Sequence, residues 1–153
     1  MSEVDRILDQ MDRAWEGDAW HGPSVKRVLD NITAELAVQH PVHSAHSIWE
    51  IVNHVASWNR IVRHRLIGDP IEPTPEVDWP PVWDKSEVAW KRTLENLDES
   101  RKLLRKTVDG MKEEQLNVQL PGEGYTNYVM LHGLVQHDLY HAGQIALLKK
   151  AVR

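Results

Sequence analysis

Apolar positions recur at three- and four-residue spacings in four long stretches of the chain, which predicts four amphipathic helices. Val4, Ile7, Leu8, Met11 and Trp15 form the first stripe, on a helix from about residue 3 to Glu16 that Gly17 ends. Ile48, Ile51, Val52, Val55, Trp58, Ile61, Val62 and Leu66 form the second, which Ser47 and Glu50 open as a capping box and Gly68 closes. The third runs from Lys85 to about Val108 on Trp90, Leu94, Leu97, Leu104 and Val108, with Arg101 in an inward slot as a snorkelling stem and Gly110 as the stop. The fourth extends from about Asn127 to Lys150, with Thr126 as its cap. Between the first two, Ser24 to Ala37 is expected to hold short helical pieces, bounded by Gly22-Pro23 and Pro41. Asp69 to Pro81 carries five of the eight prolines, so it reads as an extended loop that no helix can cross, with Trp79 and Trp83 as anchors. The expected fold class is all-α: a four-helix bundle with short extra helices and a Pro-rich crossover loop, in one domain spanning residues 1–153.

Composition narrows the chemistry. The chain has 153 residues, 41% hydrophobic and 27% charged, an ordinary globular balance with enough length for one core. A formal charge of -5 and the lack of a basic run argue against nucleic acid as a partner. No apolar stretch of 18 residues occurs, and Glu3, Asp5, Arg6 and Asp9 stand where a signal peptide would be greasy, so no membrane partner and a cytoplasmic location are expected. The chain has no Cys, which removes disulfides, thiolate nucleophiles and Cys-ligated metals. It has nine His, and these hold the candidate chemistry.

Helical phase separates them. With Ile51 at zero, His54 falls at about 300 degrees, inside the apolar arc of its helix, whereas His64 falls on the wet side. On the last helix His137 and His141 lie about 40 degrees apart, on the side that carries Met130, Leu134, Ile145 and Leu148, and His132 projects elsewhere. Three inward imidazoles on two helices need partners, because an unsatisfied buried polar group costs about 1 to 3 kcal/mol. Either each is a hydrogen-bonded core residue, or the three share a divalent ion, as two His at i and i+4 with a third from a facing helix can. The remaining His residues read as solvated or locally bonded, except that His21, beside Trp20 and Gly22-Pro23, could reach the site from an outer layer, as could Glu50, one turn before His54. Asp138, Tyr140 and Gln144 border the inward face and are the candidates for a catalytic group; none is singled out.

The segments Ser47-Ile48-Trp49-Glu50-Ile51-Val52-Asn53-His54-Val55 and His137-Asp138-Leu139-Tyr140-His141-Ala142-Gly143-Gln144-Ile145 resemble the signatures of the DinB/YfiT-like four-helix metalloproteins. Trp20-His21-Gly22-Pro23 and Asp78-Trp79-Pro80-Pro81 extend the resemblance over nearly the whole chain. It implies a bundle with a long crossover, frequent homodimers, and a divalent ion, usually nickel or zinc, on His54, His137 and His141. Ligand type alone leaves iron, manganese or copper open as well. Relatives of this family transfer small thiols such as bacillithiol to electrophiles, related mycothiol-dependent enzymes isomerise maleylpyruvate, and many members are described only as metal-dependent hydrolases.

Three functions follow as expectations, each with a small-molecule partner where there is turnover. The first is a metal-dependent S-transferase that takes an exogenous low-molecular-weight thiol as co-substrate, because a chain without Cys must borrow its sulfur. The second is a hydrolase acting through metal-activated water, and the third a metal-binding, stress-associated protein without turnover. Three nitrogen ligands without a fourth side chain favour an open site over a structural one. A second apolar strip on the last helix, Tyr128, Val135, Leu139, Ala142 and Ala146, leads to the expectation of a symmetric homodimer.

Overall fold

A computed structural model describes residues 1–152. Its four long helices are α1 (Glu3–Trp15), α4 (Ile48–Leu66), α6 (Glu87–Asp109) and α7 (Asn127–Ala151); the short helices α2 (Val25–Val28), α3 (Ala34–Ala37) and α5 (Pro75–Asp78) lie between them. The helix ends sit where the side chains cap them. Ser2 and Ser47 each close a reciprocal capping box, with Asp5 and Glu50 respectively. Ser86 accepts from the Ala89 amide and Thr126 from the Val129 amide, so each satisfies a donor that the first turn would otherwise leave unpaired. Gly68, at φ +77, follows α4 in the left-handed region, where a side chain would be strained. Among the described residues no helix is long and apolar enough to cross a membrane.

Most of the predicted core residues are buried, with Trp58, Leu66 and Leu94 half-buried against them, and they fall into two clusters. One joins Trp15, Val28, Trp49, Ile51, Trp90, Leu97, Ile145 and Leu148 with the short helices α2 and α3. The other joins Val4, Ile7, Met11, Val62, Leu104, Val108, Leu131 and Leu134 at the opposite end. A polar layer lies between them, to which all four long helices contribute. Arg101 Nη1 stands 2.9 Å from Asp138 Oδ2, and the two residues are 3% and 0% exposed. Arg101 Nη2 donates to the Met11 carbonyl at 2.9 Å, and the guanidinium lies 4.8 Å over the Trp15 ring. Asn59 donates to Ser100 Oγ at 3.1 Å and accepts a longer contact, 3.4 Å, from Arg101. Burial pushes the Asp138 carboxyl up and the neighbouring guanidinium pulls it back towards the ionised form.

This layer corrects the reading of Arg101 as a snorkelling stem: its head is sealed inside the bundle, because Asp138 on α7 supplies a countercharge that helical phase within α6 cannot reveal. The second apolar strip of α7 is also partly used within the bundle. Ala142 is buried, and Val135 and Ala146 pack against the two clusters. Trp79 is packed against the core as an anchor, whereas Trp83 is 87% exposed and anchors nothing.

Removing one member of a buried pair leaves the other charge uncompensated. Asp138→Ala is expected to destabilise the chain by about 3 to 5 kcal/mol, whereas Arg101→Met with Asp138→Leu recovers most of that loss. Urea unfolding of the single and double variants checks both.

Candidate metal centre

His54 belongs to the middle of α4, and His137 and His141 lie one turn apart on α7, so all three imidazoles enter the space between these helices. Their Nε2 atoms converge: His54 to His137 is 3.0 Å and His141 to His137 is 3.1 Å. One nitrogen from each of the three lies within 4.8 Å of the others. Two imidazoles bonded to one ion at about 2.05 Å have nitrogens about 2.9 Å apart at a right angle and about 3.4 Å apart at the tetrahedral angle. The observed spacings fall in that interval.

The second nitrogens decide what the first ones offer. His54 Nδ1 lies 2.7 Å from the Asp78 carbonyl oxygen and 3.1 Å from Asp78 Oδ1. His141 Nδ1 lies 2.6 Å from Gln144 Oε1. An oxygen of this kind only accepts, so both Nδ1 atoms carry the proton and both Nε2 atoms present a lone pair. His137 Nε2, which faces both, can carry one proton at most, and that proton cannot complete two good hydrogen bonds in different directions. At least one lone pair in the cluster therefore lacks a donor, a deficit that a shared cation removes. The donor set fits a divalent ion of the zinc or nickel type, which takes neutral imidazoles and orients them through hydrogen bonds on the far ring nitrogen.

Electrostatics keep these rings neutral. Burial holds the His137 imidazole down at about 3, and repulsion from His141 and His54 adds to the effect. Burial likewise lowers His141 to about 4, against the hydrogen bond that its Nδ1–H donates to Gln144 Oε1. His54 is lowered too, by burial first, with Asp78 opposing. Neutral imidazoles are the form that binds a metal, so these shifts favour binding at neutral pH.

The Asp78 carbonyl is available to His54 for a local reason. Thr74 caps α5 and Pro75 occupies its first turn, which starts a helix inside the Pro-rich segment. Pro80 then drives Trp79 out of helical conformation, to φ −125 and ψ 78, and ends the helix after one turn. The last carbonyl of α5 is thereby left for His54, and the Trp79 ring is laid flat on the same imidazole, 3.8 Å away and 8° from parallel. His46 stacks on the other face of Trp79 at 3.6 Å and 7°. Trp58 Nε1 donates to Asp78 Oδ1 at 2.7 Å, which holds the segment from below.

The other sequence candidates sit as follows. Gln144 touches the site, through His141 Nδ1. Tyr140 is 66% exposed, with its ring edge-on to His141 at 5.1 Å. Asp138 is wholly buried against Arg101 and has no path to a substrate proton. Glu50 accepts from the Ser47 amide at 2.6 Å and bonds His40 at 2.9 Å; it comes within 3.7 Å of His46, so it meets the trio only through the stacked rings. His21 is exposed in the loop between α1 and α2 and makes no bond to the trio. Sequence reasoning missed Asp78, Trp58 and His46. His46 was read as solvated or locally bonded, and only the path of the crossover places it against Trp79. The adjacent Asp78-Trp79-Pro80-Pro81 was the signal that could have led to Asp78, since a Pro pair after a Trp both stops a helix and orients a ring.

Comparisons with known proteins bear on the family and the fold. Residues 20–145 match the family model of the DinB superfamily. The crystal structure of a conserved protein from Enterococcus faecalis superposes with a TM-score of 0.74, over 99% of this chain and 98% of that one, at 20% identity, a likeness of fold. No curated protein matches significantly.

An imidazole whose folded pKa lies below its unfolded value of about 6.5 takes up its proton more readily when the chain unfolds, so acid favours the unfolded state. The metal-free protein is therefore expected to hold its full stability above about pH 6.5 and to lose it as pH falls towards 4, by at most about 1.4 kcal/mol per pH unit for each imidazole. His137→Gln should flatten that slope. Urea midpoints measured between neutral pH and mild acid in the presence of a chelator check the sign.

Proposed function

Since the chain belongs to the DinB superfamily, we propose that it is a divalent-metal-dependent enzyme that transfers an exogenous small thiol to an electrophile, with His54, His137 and His141 as the ligands. The observation that carries this reading is the convergence of three neutral imidazole nitrogens, two of them held as lone-pair donors by Asp78 and Gln144. A divalent ion at that point supplies Lewis acidity sufficient to ionise a thiol near neutral pH.

The chain's own residues do the rest. The Asp78 carbonyl and Gln144 fix the two ring orientations. Trp79 and Trp58 flank His54 and exclude water from that side. Hydrolysis would be served by a general base beside the reacting water. The nearby carboxylates are committed: Asp138 to Arg101, Glu50 to the start of α4 and to His40, and Asp78 to Trp58 and His54. A thiol, with an ordinary pKa of about 8.5, needs no such base once a cation lowers it. The absence of Cys assigns the sulfur to a second small molecule.

Purified protein is expected to take up nickel or zinc, and His54→Ala, His137→Ala and His141→Ala each to lose it, by metal analysis after dialysis. Gln144→Leu should retain the fold and weaken metal affinity by about 10- to 100-fold. Conjugation of a low-molecular-weight thiol to a chromogenic electrophile, abolished by His54→Ala, would support the transferase. Ester hydrolysis without thiol would replace it with a hydrolase, and bound metal without either activity with a binding protein.

A further inference from the structure

Beside His137, on the side of α7 that faces the C-terminal half of α4, lies a cavity of about 280 Å³. Trp58, Val62 and Leu134 form its apolar walls, and Arg65 and Tyr125 supply its polar edge. A dry apolar cavity of about 150 Å³ admits benzene, so this one has room for a substituted ring.

Arg65 gives the cavity its chemical direction. Its side chain is 7% exposed, although it carries a full charge. Nη1 donates to the Tyr125 hydroxyl at 2.7 Å and Nη2 to Glu123 Oε1 at 2.9 Å. A guanidinium has five N–H donors, so these two bonds position the fork and leave the other three protons unspent. Glu123 is not part of the cavity lining and its side chain is 37% exposed, so water screens its charge more than it screens the buried cation. The guanidinium also lies 5.6 Å from the centre of the Trp58 ring, so the cation and the aromatic wall meet. Such a cavity recognises a molecule with a compact apolar body and one planar anionic head.

From this we infer that the cavity is the substrate pocket of the neighbouring metal centre and that its substrates are compact apolar monocarboxylates. The ring or alkyl body lies against Trp58 and Leu134, and the carboxylate pairs with the free donors of Arg65. A ligand that fills the cavity touches Arg65 at one boundary and His137 at another, which sets the body of the molecule beside the metal ligands. Its role as a substrate pocket rests on the metal-centre reading; its preference for an acid does not.

Gly133 offers an independent handle. It lies on α7 in the cavity wall, and a Cβ added there meets nothing within 4 Å. Gly133→Leu therefore adds bulk at the cavity wall from a helical position with no clash at Cβ, in a residue type better suited to a helix.

The test titrates phenylacetate and its neutral amide, phenylacetamide, into the full chain with and without nickel, by calorimetry. Phenylacetate is expected to bind about tenfold more tightly than the amide. Arg65→Met should abolish that preference while the amide still binds, and Gly133→Leu should remove binding of both. Equal affinity for acid and amide in the native chain, no binding of either, or unchanged phenylacetate affinity in Gly133→Leu would overturn the inference. Acid preference in a chain that takes up neither nickel nor zinc would support the pocket and sink the metal centre instead, and uptake of either metal without acid preference would do the reverse.

Discussion

The buried pairing of Arg101 with Asp138 is the constraint on which the arrangement of the helices depends. A carboxylate with no exposed surface must meet its countercharge, because an unpaired charge at that depth costs several kcal/mol. Asp138 therefore sets the rotation of α7 about its own axis against α6. Arg101 is tied in turn to the Met11 carbonyl of α1 and to Asn59 of α4, so one polar layer registers all four long helices. His137, the adjacent residue, then points about 100 degrees round the helix from Asp138, towards α4. His141 follows one turn later. The apolar clusters above and below supply the stability; the polar layer selects one rotation among many that would bury similar area.

Within that frame the candidate metal centre is arranged by hydrogen bonds as well as by the three imidazoles themselves. Two imidazoles on one helix and one on another would bring nitrogens together in several tautomers. The Asp78 carbonyl and Gln144 hold His54 and His141 in the tautomer with an outward Nδ1–H and an inward lone pair. The crossover segment, which looks like a passive connection, does half of this work. A proline placed after a tryptophan ends a one-turn helix, frees a carbonyl and lays an indole on His54. The stack continues to His46 and, beyond it, to Glu50 at the start of α4, so the segment is joined to the helix it covers.

A cavity adjoins those three imidazoles. Its walls belong to α4 and α7, the helices that carry the three His residues, so the geometry that aligns the ligands also fixes the position of Arg65 and Trp58 relative to them.

What the sequence determined by itself was local. Helix extents, caps and the inward facing of His54, His137 and His141 follow from a period of 3.6 residues and from side chains that bond three residues along, and the observed helices begin and end within about two residues of where those rules put them. The resemblance carried by the Ser47–Val55 and His137–Ile145 segments likewise named the family before any coordinate did. The partners of those residues were not legible: that Arg101 is sealed against Asp138, that Asp78 rather than Glu50 or His21 orients His54, and that Trp79 is stacked while Trp83 lies in water. Phase within one helix says which residues share a face, but not which face of which neighbour lies opposite. The path of a loop without periodicity leaves no pattern to read. Only packing the helices against one another, with every buried charge requiring its counterpart, settled those pairings.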